Sequence, residues 1–116
     1  MLIPLYAKIY LYAQPTDMRK SIDTLCILVS DVLKMNPLEG HLFLFRSKSG
    51  NKLKALYYQQ NCFTLWYRRL EKGKFVFPKN AQGTLEMTEA HFQWLLASDK
   101  YSRMDAIIAQ EYTHFI

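Results

Sequence analysis

The sequence predicts a single α+β domain: an antiparallel β-meander of about five to six strands, with an N-terminal helix and C-terminal helices packed mainly on one face. Apolar residues recur at helical spacing early in the chain. The period then shortens toward two between residues 41 and 87, and a second capped apolar stripe begins at Thr88. Half of the 116 residues are hydrophobic and 15% are aromatic, enough for one packed core in a chain of single-domain length. The domain is expected over residues 1–98, with 99–116 as a C-terminal tail. Met104, Ile107 and Ile108 keep helical spacing within that tail.

The elements follow from local patterns. Lys8–Ala13 is the first strand, and Gln14-Pro15 breaks it. A helix is expected next, with Thr16 or Asp17 as N-cap and Met18, Ile22, Leu25, Val29 and Val32 on one face. Asn36-Pro37 and Gly40 end it. His41–Arg46 is a short, nearly continuous apolar run, followed by a turn at Ser47–Asn51. On the next strand, Leu53, Ala55 and Tyr57 fall on one face, and Lys52, Lys54, Leu56 and Tyr58 on the other. Gln59–Asn61 turns the chain into Cys62–Leu70, rich in Phe, Leu, Trp and Tyr. Glu71–Gly73 leads to a strand at Lys74–Phe77, and Thr84–Met87 is a last short strand. Short strands with tight connections imply antiparallel pairing. Thr88 then caps a helix carrying Phe92, Leu95 and Leu96, with Glu89 in the favourable first turn.

Several classes are disfavoured. No apolar run approaches the roughly 20 residues of a membrane-spanning helix. Met1–Leu5 lacks the basic and long apolar regions of a secretory signal. Cys26 and Cys62 lie in apolar segments, which suits two small core thiols in a reducing compartment, the cytoplasm. There is no Gly-rich phosphate loop and no Cys-x-x-Cys pair, and His41, His91 and His114 form no ligand-spaced cluster. A metal-dependent nuclease gathers carboxylates in a polar pocket; Asp17, Asp23 and Asp31 instead share one helical segment. No enzymatic activity, cofactor or metal site is therefore expected.

Charge is more informative. The net charge is +5, yet residues 41–79 hold nine Lys and Arg against a single acid, Glu71, a local net of +8. Such asymmetry suggests a polyanionic partner; solvated lysines on hairpin edges are the plainer alternative. The candidate phosphate contacts here are Arg46, Lys48, Lys52, Lys54, Arg68, Arg69, Lys72 and Lys74. Arg19 and Lys20 join them, because basic groups near a helix N-terminus could grip a phosphate. The aromatic residues of the same segment could stack on unpaired bases, although Phe63, Leu65 and Tyr67 on a strand are more often core than base platform.

Four ordered blocks carry a family resemblance. They are Pro15-Thr16-Asp17-Met18-Arg19-Lys20-Ser21-Ile22-Asp23, Gly40–Arg46, Lys52–Tyr58 and Leu65–Phe75. Together they resemble the TnpB-type accessory proteins of the sixty-six family of bacterial insertion sequences, over about residues 3–96. Tyr57 or Tyr58 stands where that family usually has tryptophan, Phe77-Pro78 where Trp-Pro is usual, and Ser21 where glycine is common. Gln59-Gln60-Asn61 replaces an acidic, glycine-containing turn. The resemblance implies a helper in transposition, acting beside a separate transposase, and brings no catalytic residues with it. Two functions follow as expectations: a factor that binds DNA at the element ends, or a module that bridges transposase subunits without touching DNA. If Arg46, Lys52, Lys54, Arg68 and Lys72 share one continuous face, the first gains; if they scatter, the second does.

Overall fold

The computed structural model describes residues 7–78 and 81–97. The chain runs β1 (Ile9–Tyr12), α1 (Ile22–Asp31), β2 (Leu42–Arg46), β3 (Lys52–Gln59), β4 (Cys62–Arg69), β5 (Thr84–Met87) and α2 (Glu89–Leu96). Five strands form one sheet in the order β4-β3-β2-β1-β5. The expected antiparallel meander holds only from β2 to β4. β1 lies parallel to β2, with Ile9 opposite Leu42, and β5 closes the other edge antiparallel to β1. The sheet is therefore mixed. A parallel pair needs a long crossover, and the segment containing α1 supplies it.

That crossover corrects a second expectation, that the helices share one face. α1 buries Leu25 and Val29 against Phe43, Phe45 and Leu56 on one side of the sheet. α2 buries Phe92 and Leu95 against Ile9, Leu11, Leu42, Leu44, Leu53 and Met87 on the other. The cause is in β2, where Leu42, Phe43, Leu44 and Phe45 are all buried. Alternate residues point to opposite faces, so an all-apolar strand requires cover on both sides.

The hairpins are governed by turn chemistry. Gln59 pairs with Cys62, leaving Gln60 and Asn61 as a two-residue loop with φ of 53° and 61°. Two left-handed residues in succession mark a type I′ turn, whose twist matches the flanking strands. Between β2 and β3, Gly50 has φ +80° and lies under the aliphatic stem of Lys74. The Phe75 N–H donates to the Gly50 carbonyl at 2.8 Å, and the Leu70 N–H to that of Asn51 at 2.8 Å. These bonds lay residues 70–75 along the β2–β3 turn. Lys74–Phe77 is accordingly not a strand. Phe75 is buried in the α2-side core, and its segment is held by packing and single bonds.

The start of α1 differs from expectation. Ser21, not Thr16 or Asp17, is the N-cap, and its backbone N–H donates to Thr24 Oγ1 at 2.9 Å. Asp17 instead closes a tight turn: its carboxylate accepts from the Arg19 backbone at 2.9 Å, and its carbonyl from Lys20 N–H at 3.1 Å. The Met18 and Lys20 carbonyls, which a longer helix would use internally, accept instead from the Lys54 ammonium at 2.6 and 2.7 Å. Met18 still packs on the α1-side core. At the other end, Lys34 adopts φ 59°, so the helix stops before Asn36-Pro37. Val32 is exposed, against the expectation that it lay on the buried face. Thr88 caps α2 as expected, accepting from His91 N–H at 3.1 Å.

Neither cysteine is disulfide-bonded. Cys26 is half-buried in the α1-side core, where burial pushes its thiol pKa up; Cys62, expected inside, is exposed at the β3–β4 hairpin. The expected tail, residues 99–116, lies outside the described residues.

Replacing Lys54 with Met is expected to destabilise the fold by about 1–3 kcal/mol, since two carbonyls lose a charged donor; urea unfolding measures it. Converting Gln60-Asn61 to Asn-Gly is expected to stabilise the fold by several tenths of a kcal/mol, roughly 0.4–1, because glycine carries positive φ without strain. A shift of the urea midpoint upward, with unchanged slope, is the readout.

Candidate nucleic-acid interface

Four segments meet at one end of the sheet: the 16–20 turn, the β2–β3 turn, the start of β3 and the end of β4. Register dictates the arrangement. Lys52 pairs with Arg69 and Lys54 with Tyr67, so these four residues share the α1 side of the sheet. The α1-side cover of Phe63 and Leu65 stops before Tyr67, which is 48% exposed. The result is an open groove of about 630 Å³, lined by Thr16, Asp17, Met18, Arg19, Ser47, Lys48, Ser49, Lys52 and Tyr67. Its floor is organised by short polar contacts. Ser47 Oγ accepts from the Lys52 backbone at 3.1 Å and lies 3.2 Å from Ser49 Oγ, which donates to Asn51.

The ten basic candidates fall into distinct environments. Lys48 and Lys52 line the groove directly. Arg19 lines it too. Its guanidinium is paired with Asp17 at 2.7 Å, yet the side chain remains 91% exposed. The Arg19 guanidinium and backbone amide hold the Asp17 carboxyl well below the usual carboxylate range. Arg69 shares the groove side of β4 and forms an ion pair with Glu71 at 2.8 Å. Lys72 and Lys74 are exposed on the adjoining loop, and Lys74 lies over Gly50 at the β2–β3 turn.

The other members do not line the groove, and Arg68, though exposed, lies on the opposite side of the sheet. Lys54 is buried; its ammonium serves the Met18 and Lys20 carbonyls and lies 5.5 Å from the Tyr67 ring centre, and burial pushes its pKa down. Lys20 contributes its carbonyl to that clasp. Arg46 points to the α2 side, where Nε donates to the Ala13 carbonyl at 2.7 Å and the guanidinium covers the Phe77 ring. Arg68 also faces the α2 side, opposite Leu53, with its guanidinium over Trp66. Arg46, Lys52, Lys54 and Arg68 thus divide between the two faces and do not form one continuous surface.

The basic groove also contains Ser47 and Ser49, expected only as turn residues, Thr16, Asp17 and Met18, expected as a helix start, and above all Tyr67, weighed from the sequence between core and base platform. Strand parity carried a signal for Tyr67, because it alternates in step with Arg69 on a strand directly following the lysine-bearing β3. Among the described residues, no group of three or more His, Cys, Asp and Glu side chains could hold a metal ion. No helix among them is long and apolar enough to cross a membrane.

Comparisons with known proteins agree with the block pattern. The profile of the IS66 Orf2 like protein family matches residues 7–106. The chain is 36% identical over 90 residues to the uncharacterized protein y4hO of Sinorhizobium fredii, covering 78% of each chain. It is 33% identical over 97 residues to the uncharacterized protein y4jC of the same organism, covering 84% of this chain and 83% of the relative. No solved structure matches. The extent of the profile match, supported by two relatives aligned over most of their length, shows that the chain belongs to the IS66 Orf2-like family and has its role in insertion-sequence transposition.

Proposed function

We propose that this chain is a DNA-binding accessory factor that assists a separate transposase at the ends of the element. The observation that carries the reading is the groove that Arg19, Lys48, Lys52 and Tyr67 line together, with Arg69 on the same side of the sheet and Lys72 and Lys74 on the adjoining loop. Lys and Arg displayed together attract phosphates by neutralising them and releasing condensed counterions. Loose geometry suffices for that attraction, so exposed lysines on turns serve it well. The family is not a known enzyme class, which agrees with a helper role.

The two cation groups have different expected parts. Lys48, Lys52, Arg69 and Arg19 are the phosphate contacts, with Lys72 and Lys74 extending the positive field. Lys54, bonded to the Met18 and Lys20 carbonyls, supports the groove wall, Arg46 is engaged on the opposite side of the sheet, and neither touches DNA.

One observation favours a second reading, a module that bridges transposase subunits. Part of the basic set faces the α2 side, and Ile27, Val32 and Leu38 are 58%, 51% and 55% exposed on and just after α1. Co-purification with the transposase from nuclease-treated lysate at high salt, without measurable DNA affinity, would favour that reading.

Duplex and single-stranded DNA binding measured between about 50 and 200 mM salt tests the first reading. Affinity should fall steeply with salt. The Lys48→Ala, Lys52→Ala double variant should reduce the magnitude of the log–log slope by up to about 1.8 on duplex, about 0.9 per lost phosphate contact. Arg46→Ala should leave the slope unchanged. Absence of binding at the lowest salt would refute the reading.

A further inference from the structure

We infer that Tyr67 is a stacking platform for an unpaired base, so the basic groove takes single-stranded DNA or a frayed strand end in preference to intact duplex. This rests on the DNA-binding reading above and specifies the form of DNA that the groove receives.

The argument begins with the pattern of β4. On its α1 side the strand presents Phe63, Leu65, Tyr67 and Arg69 in turn. Phe63 and Leu65 pack into the core beneath α1, whereas Tyr67 stands 48% exposed in the groove wall. A half-exposed aromatic ring beside lysines is the arrangement that single-strand binding uses: cations follow the backbone while ring faces receive bases.

The ring is also held in place. The Lys54 ammonium, anchored by the Met18 and Lys20 carbonyls, lies 5.5 Å from the ring centre. A cation against a π-face is attractive, so this buried group fixes the ring from within while leaving half its surface to solvent. A single strand repeat, about 7 Å, separates Tyr67 from the next groove-side residue, Arg69, which is paired with Lys52. A base on Tyr67 therefore leaves its own backbone near Lys52 and Arg69, in a groove that Lys48 and Arg19 also line. Intact duplex offers no such fit, because its base faces are stacked on one another and only base edges and phosphates are presented.

Tyr67 could serve only to cover the Lys54 stem. The two roles separate by measurement. Fluorescently labelled oligo-dT and a duplex of the same length are titrated with wild type, Tyr67→Phe, Tyr67→Ala and Lys52→Ala. Tyr67→Ala should weaken oligo-dT binding about tenfold while leaving duplex affinity and both salt slopes unchanged, and Tyr67→Phe should retain wild-type binding. Lys52→Ala should weaken both DNAs. Ultraviolet cross-linking of wild type to a bromodeoxyuridine-substituted strand, followed by peptide mapping, should mark Tyr67; this readout stands even if Tyr67→Ala folds poorly. Equal loss on both DNAs in folded Tyr67→Ala, or cross-links that avoid Tyr67, would overturn the stacking role while leaving DNA binding intact. Absence of binding by wild type to either DNA would overturn both.

Discussion

The parallel pairing of β1 with β2 is the constraint on which the rest of the architecture depends. Two parallel neighbours cannot be joined by a hairpin, so the chain must cross one face of the sheet between them. α1 makes that crossing and covers Phe43 and Phe45; the opposite face is left for α2. The arrangement suits a β2 strand that is apolar on both sides. It also decides where cover ends. The α1-side core takes in Phe63 and Leu65 but not Tyr67, and the basic groove occupies the uncovered sheet end.

Lys54 joins fold and candidate site. It lies on β3 with a groove-facing lysine two residues away, yet its own ammonium is enclosed by the turn that leads into α1. A buried charge is tolerated only with good partners, and two carbonyls and a ring supply them. The same clasp keeps the 16–20 turn against β3, which brings Asp17 and Arg19 to the groove wall. Structure and electrostatics are thus shared at this end: one lysine holds the wall and others face the solvent. Family membership supplies the transposition context for that surface, and charge and geometry supply the case for nucleic acid.

Much of the local structure was legible in the sequence. Period-two alternation correctly divided Leu53, Ala55 and Tyr57 from Lys52, Lys54, Leu56 and Tyr58, because a strand leaves no other choice. Thr88 and Glu89 marked the start of α2 through the same local capping chemistry that operates in any helix. Local chemistry was less decisive at Asp17, where an ion pair to Arg19 and a tight turn compete with helix capping. Lys74–Phe77 has strand-like composition, yet it packs its side chains without joining the ladder, since β3 already has both neighbours and the β4 edge is not where this segment runs.

The sequence by itself determined the approximate positions of the five sheet strands and two helices, but not the failure of Lys74–Phe77 to join the sheet; it also determined the faces of the central strands, the concentration of positive charge in residues 41–79 and the family blocks. These are properties of neighbouring residues and of composition, and they need no knowledge of distant contacts. Tertiary structure alone decided that β1 pairs parallel with β2, that the helices take opposite faces, and that the basic residues divide between solvent and interior. Lys52 and Lys54 show the reason. They share a face and differ by one strand repeat, but a turn more than thirty residues earlier in the chain encloses one and leaves the other in the groove. Charge can be counted from the sequence; whether an ammonium meets a backbone carbonyl or a phosphate depends on what the fold brings beside it.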